Sequence, residues 1–394
     1  MKKVFSIFLI AFVLISSPLF YRGAYAYAEG EDESIEVQIQ ESVDEQLSNL
    51  DTSGLGELFL SISNSKDIFK SDDFNEVVRN IISGNLEIDS SSLVNYTARV
   101  FFDDVINFLP YVCLILAVAV LYSMVAGSSG SNKSLGDIIH FVCYGAIVVI
   151  CIFCITHLVS ITTQCVGSLK SQMDVVFPIL LTLVTALGGN VSASIFQPSM
   201  AVLSSLAMTL FTNILLPLFT FKIIFTIISN LTSGVKFNKF AEFFGSCFKW
   251  LLGGILTVFT AFLSVSGLMA GSIDGISIKT AKYTIKSSVP LVGGFLSDGM
   301  SVMMLSCSLI KNAIGVSGLI LLFCSVIVPV LKIIVFSLLM KLVSAILEPI
   351  ADARVTSFVS DVAKSISTLV AIILGVAFMY FVVVGLVMCL VNYL

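Results

Sequence analysis

Long, nearly uncharged apolar runs separated by short polar stretches dominate this chain. After Lys2-Lys3 comes Val4–Phe20, and then Val105–Ala126, Ile138–Ile161, Met200–Leu231, Trp250–Ala270, Ala313–Leu347 and Ser367–Val391. A helix crosses the hydrocarbon of a bilayer with about 20 mostly apolar residues. None of these runs alternates apolar and polar positions with the period of two that a membrane strand requires. The pattern predicts an all-α polytopic membrane protein with six to eight transmembrane helices.

Part of the pattern occurs twice. Pro178 lies in a short apolar run, Phe177–Leu187, that ends in Gly188-Gly189-Asn190, and Pro217 and Lys222 follow in the long run after it. Pro290 leads to Gly293-Gly294, and Pro329 and Lys332 follow in the next long run. The prolines are 39 residues apart in each copy and recur at an offset of 112, while the lysines recur at 110. The spacing reads as a degenerate repeat of roughly 110 residues, the scale of transporter halves. If the short Pro-led segments are re-entrant, there are six spans and parallel halves. If they cross fully, there are eight spans and inverted halves. The positive-inside rule does not separate the two, because each places seven cationic side chains inside and five outside. Both put the C-terminus on the exported side.

The remaining punctuation divides the chain into regions. Residues 1–28 have the form of a secretory signal peptide, with cleavage after Ala26 or Ala28 and an uncleaved anchor as the alternative. Residues 29–104 form an acidic exported segment, disordered at its start and helical later. Ser71-Asp72-Asp73 starts a helix with Phe74, Val77, Val78, Ile81 and Ile82 on one face and Gly84-Asn85 as its stop. Ser90–Ser92 caps a second helix that leads into the first span. Residues 105–174 form a two-span hairpin, turned at Gly127–Gly136 and followed by a polar connection, Thr162–Asp174. Residues 175–286 and 287–394 are the two membrane repeats. Each contains an amphipathic connector, Thr232–Lys249 or Glu348–Ile366, and a closing span.

Composition narrows the class of function. Hydrophobic residues make up 57% and charged residues 12% of the chain, against about 25% charged in soluble proteins. The net charge of −5 conceals a division: Glu29–Asp104 holds 18 acidic and 4 basic residues, and Val105–Leu394 holds 8 acidic and 14 basic. Cys151 and Cys154 are surrounded by Ile152, Phe153 and Ile155, unlike a zinc site with its polar surroundings. His140 and His157 lie near opposite ends of one apolar run. No phosphate loop, HExxH motif or serine–histidine arrangement is present. The expectation is a protein that is not an enzyme, with no cofactor, metal or nucleic-acid partner and with the lipid bilayer as its surroundings.

The candidate functional residues are therefore polar groups and helix breaks inside the membrane body, where polarity is costly unless it is paired or faces a cavity. Lys222 and Lys332 either line a pathway for anionic cargo or snorkel to the interface. Pro178, Gly188, Gly189, Asn190, Pro217, Pro290, Gly293, Gly294, Asp298, Gly299 and Pro329 either open backbone towards a cavity or allow close helix packing. Glu348, Asp352 and Arg354 are candidates for gating or for a solvated helix cap.

Several stretches carry a family resemblance. Val289-Pro290-Leu291-Val292-Gly293-Gly294-Phe295-Leu296-Ser297-Asp298-Gly299, Leu309-Ile310-Lys311-Asn312-Ala313-Ile314-Gly315-Val316-Ser317-Gly318 and Glu348-Pro349-Ile350-Ala351-Asp352 resemble the stage III sporulation protein AE family of endospore-forming Firmicutes. The acidic segment running into a first span over Val94–Leu121 fits the same family. The resemblance implies a component of the channel between mother cell and forespore, located in the outer forespore membrane. It also implies ring-forming subunits and a secretion-type ATPase as partners. It supplies no catalytic residues. The expected function is a conduit or export-gate-like subunit of this feeding-tube apparatus. The alternatives are a secondary transporter for a small solute, with its site at the paired Pro-Gly breaks, and a scaffold for channel assembly. Homo-oligomerisation stays open.

Overall fold

The computed structural model describes residues 33–61, 73–84, 90–128, 133–231, 237–288, 293–351 and 353–391. The signal-peptide stretch, Pro290 and Asp352 lie outside the described residues, as does the side chain of Asp298. All regular structure among the described residues is helical. Three short helices come first: α1 (Glu33–Asn49), α2 (Ser53–Ser61) and α3 (Phe74–Ile82). Next are α4 (Ser90–Ser128), α5 (Lys133–Ala186) and α6 (Asn190–Leu210). A π-helical turn, Phe211–Leu215, joins α6 to α7 (Leu216–Leu231). The chain ends with α8 (Asn238–Ser288), α9 (Gly293–Leu347) and α10 (Ala353–Cys389). Among the described residues, six helical stretches are long and apolar enough to cross a membrane: Asn95–Val125, Phe141–Ala186, Asn190–Asn230, Asn238–Gly267, Gly299–Leu347 and Ala353–Cys389.

The acidic segment is built as its apolar spacing requires. Asp73 caps α3 by accepting from the backbone N–H of Asn75, Phe74, Val77 and Val78 are buried, and Gly84 ends the element at φ +71°. The stretch read as disordered at its start is helical from Glu33 onward. The reason is tertiary: Val43 and Leu47 are buried, and Gln46 reaches the Met303 carbonyl and the Cys307 thiol on α9. On α2, Gly54 lies so close to Val175 of α5 that a Cβ there would stand 3.1 Å from its Cγ1. The acidic segment is thus docked on the bundle.

Two expectations are corrected by α5. Thr162–Asp174 is helix rather than connection, and Phe177–Ala186 forms the last turns of the same helix rather than a separate short segment. The polar groups are satisfied without breaking it. Thr162 and Thr163 donate to the Leu158 and Val159 carbonyls, Lys170 pairs with Asp174, and Gln172 donates to Ser325 Oγ at 2.6 Å. At 54 residues, α5 is about 80 Å long, far longer than a bilayer core of about 30 Å.

The true break follows at Gly188, whose φ of +88° suits glycine. Gly189 N–H donates to the Val184 carbonyl and Gly188 N–H to that of Thr185, a Schellman termination. A Cβ on Gly189 would stand 2.6 Å from Val184 Cγ1, 2.9 Å from the Val184 carbonyl oxygen and 2.9 Å from Val391 Cγ2. Gly189→Ala is expected to lower stability by about 1–3 kcal/mol through overpacking against backbone. Thermal unfolding in mild detergent checks this, with Gly56→Ala in helix α2, where nothing lies within 4 Å, as the control free of overpacking.

The prolines are absorbed in different ways. Pro217 follows the π-helical turn, in which Leu216 N–H bonds back to Phe211. A proline ring clashes with the carbonyl four residues earlier, and a widened turn relieves that clash. Pro178 and Pro329 lie inside continuous helices.

Helix α10 shows the direction of its neighbours. Along α9, Lys311 meets Leu390, Gly318 meets Tyr380, Ser337 meets Ala363 and Ser344 meets Thr356. Along α6 and α7, the turn at Gly189 meets Val391 and Lys222 meets Thr368. Both Pro–Lys helices therefore run antiparallel to α10 and parallel to each other. The inverted, eight-crossing arrangement is not the one the structure adopts.

Candidate functional site

Polar side chains enter the bundle at two levels. The first is midway along it. Lys222, half-buried on α7, donates to Thr368 Oγ1 on α10 at 3.3 Å. Its stem lies against α8, where a Cβ on Gly245 would stand 3.5 Å from Lys222 Cδ and Cε. The charges of Lys249 on α8 and Asp361 on α10 act on it. Lys222 is therefore wedged between three helices, which disfavours simple snorkelling from a tilted helix. Asp361 pairs with Lys364 at 3.2 Å. Elsewhere in the bundle, Asp104 of α4 is 5% exposed, has one carboxylate oxygen with no hydrogen-bond partner, and is acted on by the charge of Lys332.

The second level is the end of the bundle where α5, α6, α9 and α10 meet. Lys311 of α9 is fully buried and donates to the Leu390 carbonyl, at the end of α10, at 2.5 Å. Asp274 of α8, 1% exposed, accepts from the Val191 and Ser192 N–H groups at 3.0 and 2.8 Å. A helix carries partial positive charge at its N-terminus and partial negative charge at its C-terminus. The anion thus sits on the start of α6 and the cation on the end of α10, each the favourable sign. Ser308 Oγ and Asn312 Oδ1, within one turn of Lys311, are buried with no hydrogen-bond partner.

The structure does not gather the residues singled out from sequence into one pocket. Gly188, Gly189 and Asn190 lie at the α5–α6 turn, Pro178 is exposed near the end of α5, and Pro217 and Lys222 lie on α7. Pro329 and Lys332 lie on α9, which Gly293 and Gly294 begin, and Gly299 is exposed near its start. Glu348 is exposed in the α9–α10 turn and Arg354 is half-buried at the start of α10. Among the described residues no three His, Cys, Asp or Glu side chains converge as metal ligands. Cys151 and Cys154 are buried within α5.

The sequence reading missed Lys311, Asp274, Asp104 and the α10 face bearing Asp361 and Lys364. In the charge count Lys311 is one of the five cationic side chains placed outside. Its signal was isolation, since it is a lone charge with Leu309-Ile310 before it and Ala313-Ile314 after it. The signal on α10 was periodic: Ser357, Ser360, Asp361, Lys364, Ser367 and Thr368 recur every three to four residues.

Comparison with known proteins identifies the family. The profile of the Spore_III_AE family, stage III sporulation protein AE, matches residues 72–390. Stage III sporulation protein AE of Bacillus subtilis (strain 168) is 26% identical over 250 residues, which are 64% of this chain and 63% of the relative. The chain thus spans just under two thirds of that relative's length. No solved structure matches. The matched region takes in α3, the long helices α4 to α10 and both polar levels, and this membrane protein belongs to the stage III sporulation protein AE family.

Proposed function

We propose that this chain is a conduit or export-gate-like subunit of the channel between mother cell and forespore. It acts in sporulation from the outer forespore membrane, with the acidic segment on the exported side and ring-forming subunits and a secretion-type ATPase as partners. The family match supports the process. One observation carries the conduit reading: Lys222, Thr368 and Asp361, with the charge of Lys249 acting on Lys222, bring polar groups of three helices together midway along the bundle. Charged groups at the centre of a membrane helix cost about 2.5–3.5 kcal/mol each and mark pathways or pairing. A scaffold held together by packing alone has no need of them.

Lys222→Met keeps the length and packing of the side chain and removes the charge. In the spore-forming host this variant is expected to accumulate in the membrane at the parental level yet give at least about tenfold fewer heat-resistant spores, an effect of about 1.4 kcal/mol on a functional equilibrium. Lys332→Met is the companion variant. Full sporulation in both, with normal protein levels, would overturn the conduit reading and favour the scaffold.

A further inference from the structure

Lys222 and Lys249 place two cations together without an anion between them. The Lys222 stem crosses α8 at Gly245, where a Cβ would stand 3.5 Å from Cδ and Cε and 4.0 Å from Nζ. Lys249 lies one turn further along α8, and residues four apart share a helix face. The charge of Lys249 accordingly acts on Lys222. Like charges at this range repel, so the arrangement has a cost that an anion would offset. The nearby carboxylates are engaged elsewhere: Asp361 pairs with Lys364 and Glu242 with Lys239, both at 3.2 Å. The charge of Asp361 reaches Lys222, but the hydrogen-bond partner of Lys222 is the uncharged Thr368 hydroxyl. Among the described residues neither Lys222 nor Lys249 has a carboxylate within ion-pair distance.

The surroundings define the kind of anion that fits. Residues 190–221 and 250–273 contain no Asp, Glu, Lys or Arg. The charge-free stretches of α6–α7 and of α8 therefore end side by side, at Lys222 and Lys249. Before Lys249 the outward face of α8 carries Lys239, Glu242 and Ser246 among exposed Phe240 and Phe243. After it the face is apolar. Trp250 is 83% exposed, Leu251, Val258, Phe262 and Val265 are exposed, and Gly253 and Gly254 have open space where a Cβ would stand. On α7, Phe221 beside Lys222 is exposed as well. Among the six spanning stretches the one in α8 is the least buried by protein. A tryptophan beside lysines, at the end of an exposed apolar surface, is the pattern found where hydrocarbon meets lipid headgroups.

Free phosphate would use the two cations and leave the apolar flank without a role. A phospholipid uses both, and basic pockets between membrane helices suit anionic headgroups. A zwitterionic lipid brings its own cation towards two lysines and is disfavoured. We infer that Lys222 and Lys249 hold the phosphate of an anionic phospholipid, whose acyl chains lie along the exposed apolar face of α8 beyond Trp250. The inference needs no pathway and so does not rest on the conduit reading.

Trp250 is the single tryptophan of the full-length protein, so its fluorescence reports this site alone. The test reconstitutes the protein in phosphatidylcholine vesicles in which a small fraction of the lipid carries brominated chains, which quench tryptophan on contact. The brominated lipid is phosphatidylglycerol in one series and phosphatidylcholine in the other. Phosphatidylglycerol is expected to quench several-fold more at equal fraction. The combined Lys222→Met and Lys249→Met variant should lose the difference, and Lys239→Met should keep it. Equal quenching by the two lipids in the parent overturns the proposal, as does a difference that survives in the combined variant. Absence of quenching by either lipid also overturns it, and would show that protein covers Trp250. A preference abolished by inorganic phosphate in the buffer would assign the lysines to free phosphate and overturn the lipid as occupant. The comparison of lipids in the parent decides the matter even if the combined variant fails to fold. Full sporulation in Lys222→Met would reject the conduit reading and leave this result untouched.

Discussion

Lys311→Glu is expected to be the most damaging single change in the bundle. The wild-type ammonium is fully buried and donates to the Leu390 carbonyl at the end of α10. A carboxylate there would face the negative end of a helix in a low-dielectric core. Breaking a buried charge interaction in this way costs about 3–5 kcal/mol, a large part of the net stability of a typical protein, about 5–15 kcal/mol. The variant should accumulate poorly and melt well below the parent in mild detergent. Lys311→Met separates charge from volume: it loses a charge-assisted hydrogen bond worth about 1.5–3 kcal/mol but removes the buried charge, so it should melt between the two. Lys239→Glu, on a side chain 89% exposed, should stay within about 0.5 kcal/mol of the parent. If Lys311→Glu melts with the parent, Lys311 does not stabilise the end of α10.

Asp274→Ala is expected to be next. One carboxylate oxygen accepts from Val191 N–H and the other from Ser192 N–H, and Ser192 itself is fully buried. Removing an N-cap costs about 0.5–2 kcal/mol, and each buried donor left unpaired adds about 1–3 kcal/mol. A loss of about 2–4 kcal/mol follows from these two effects together. Asp274→Asn keeps one acceptor oxygen and should lose less. The effect should concentrate at the α5–α6 turn, so hydrogen exchange over Val191–Ser194 is the direct measurement. Unchanged protection in Asp274→Ala would show that another group caps α6.

Neither residue was singled out from sequence, and the reason is the same for both. A lone charge in an apolar run looks like a loop residue until its partner is known. The partners of Lys311 and Asp274 are backbone groups 79 and at most 83 residues away, on other helices. No local pattern encodes that distance. Lys222 was found because its context, an apolar run after a proline, recurs at Lys332. The Thr368 contact and the Gly245 packing that give it a place in the bundle come from α10 and α8.

The length and apolarity of the runs were enough to determine a helical membrane protein, because hydrocarbon tolerates only backbones that satisfy their own hydrogen bonds. Capping chemistry marked α3 at both ends, and the residues quoted for the family resemblance pointed to the family that the profile match shows. The tertiary structure decided that α5 continues through Thr162–Asp174, because Ser325 on another helix and hydroxyl bonds to its own carbonyls satisfy its polar residues. It decided that the two Pro–Lys helices run parallel, since both pack along the same α10. It also placed Ser357, Ser360, Asp361, Lys364, Ser367 and Thr368 on the less buried side of α10, with Ser365 buried. Periodicity reveals that such a face exists, and only packing tells which way it points.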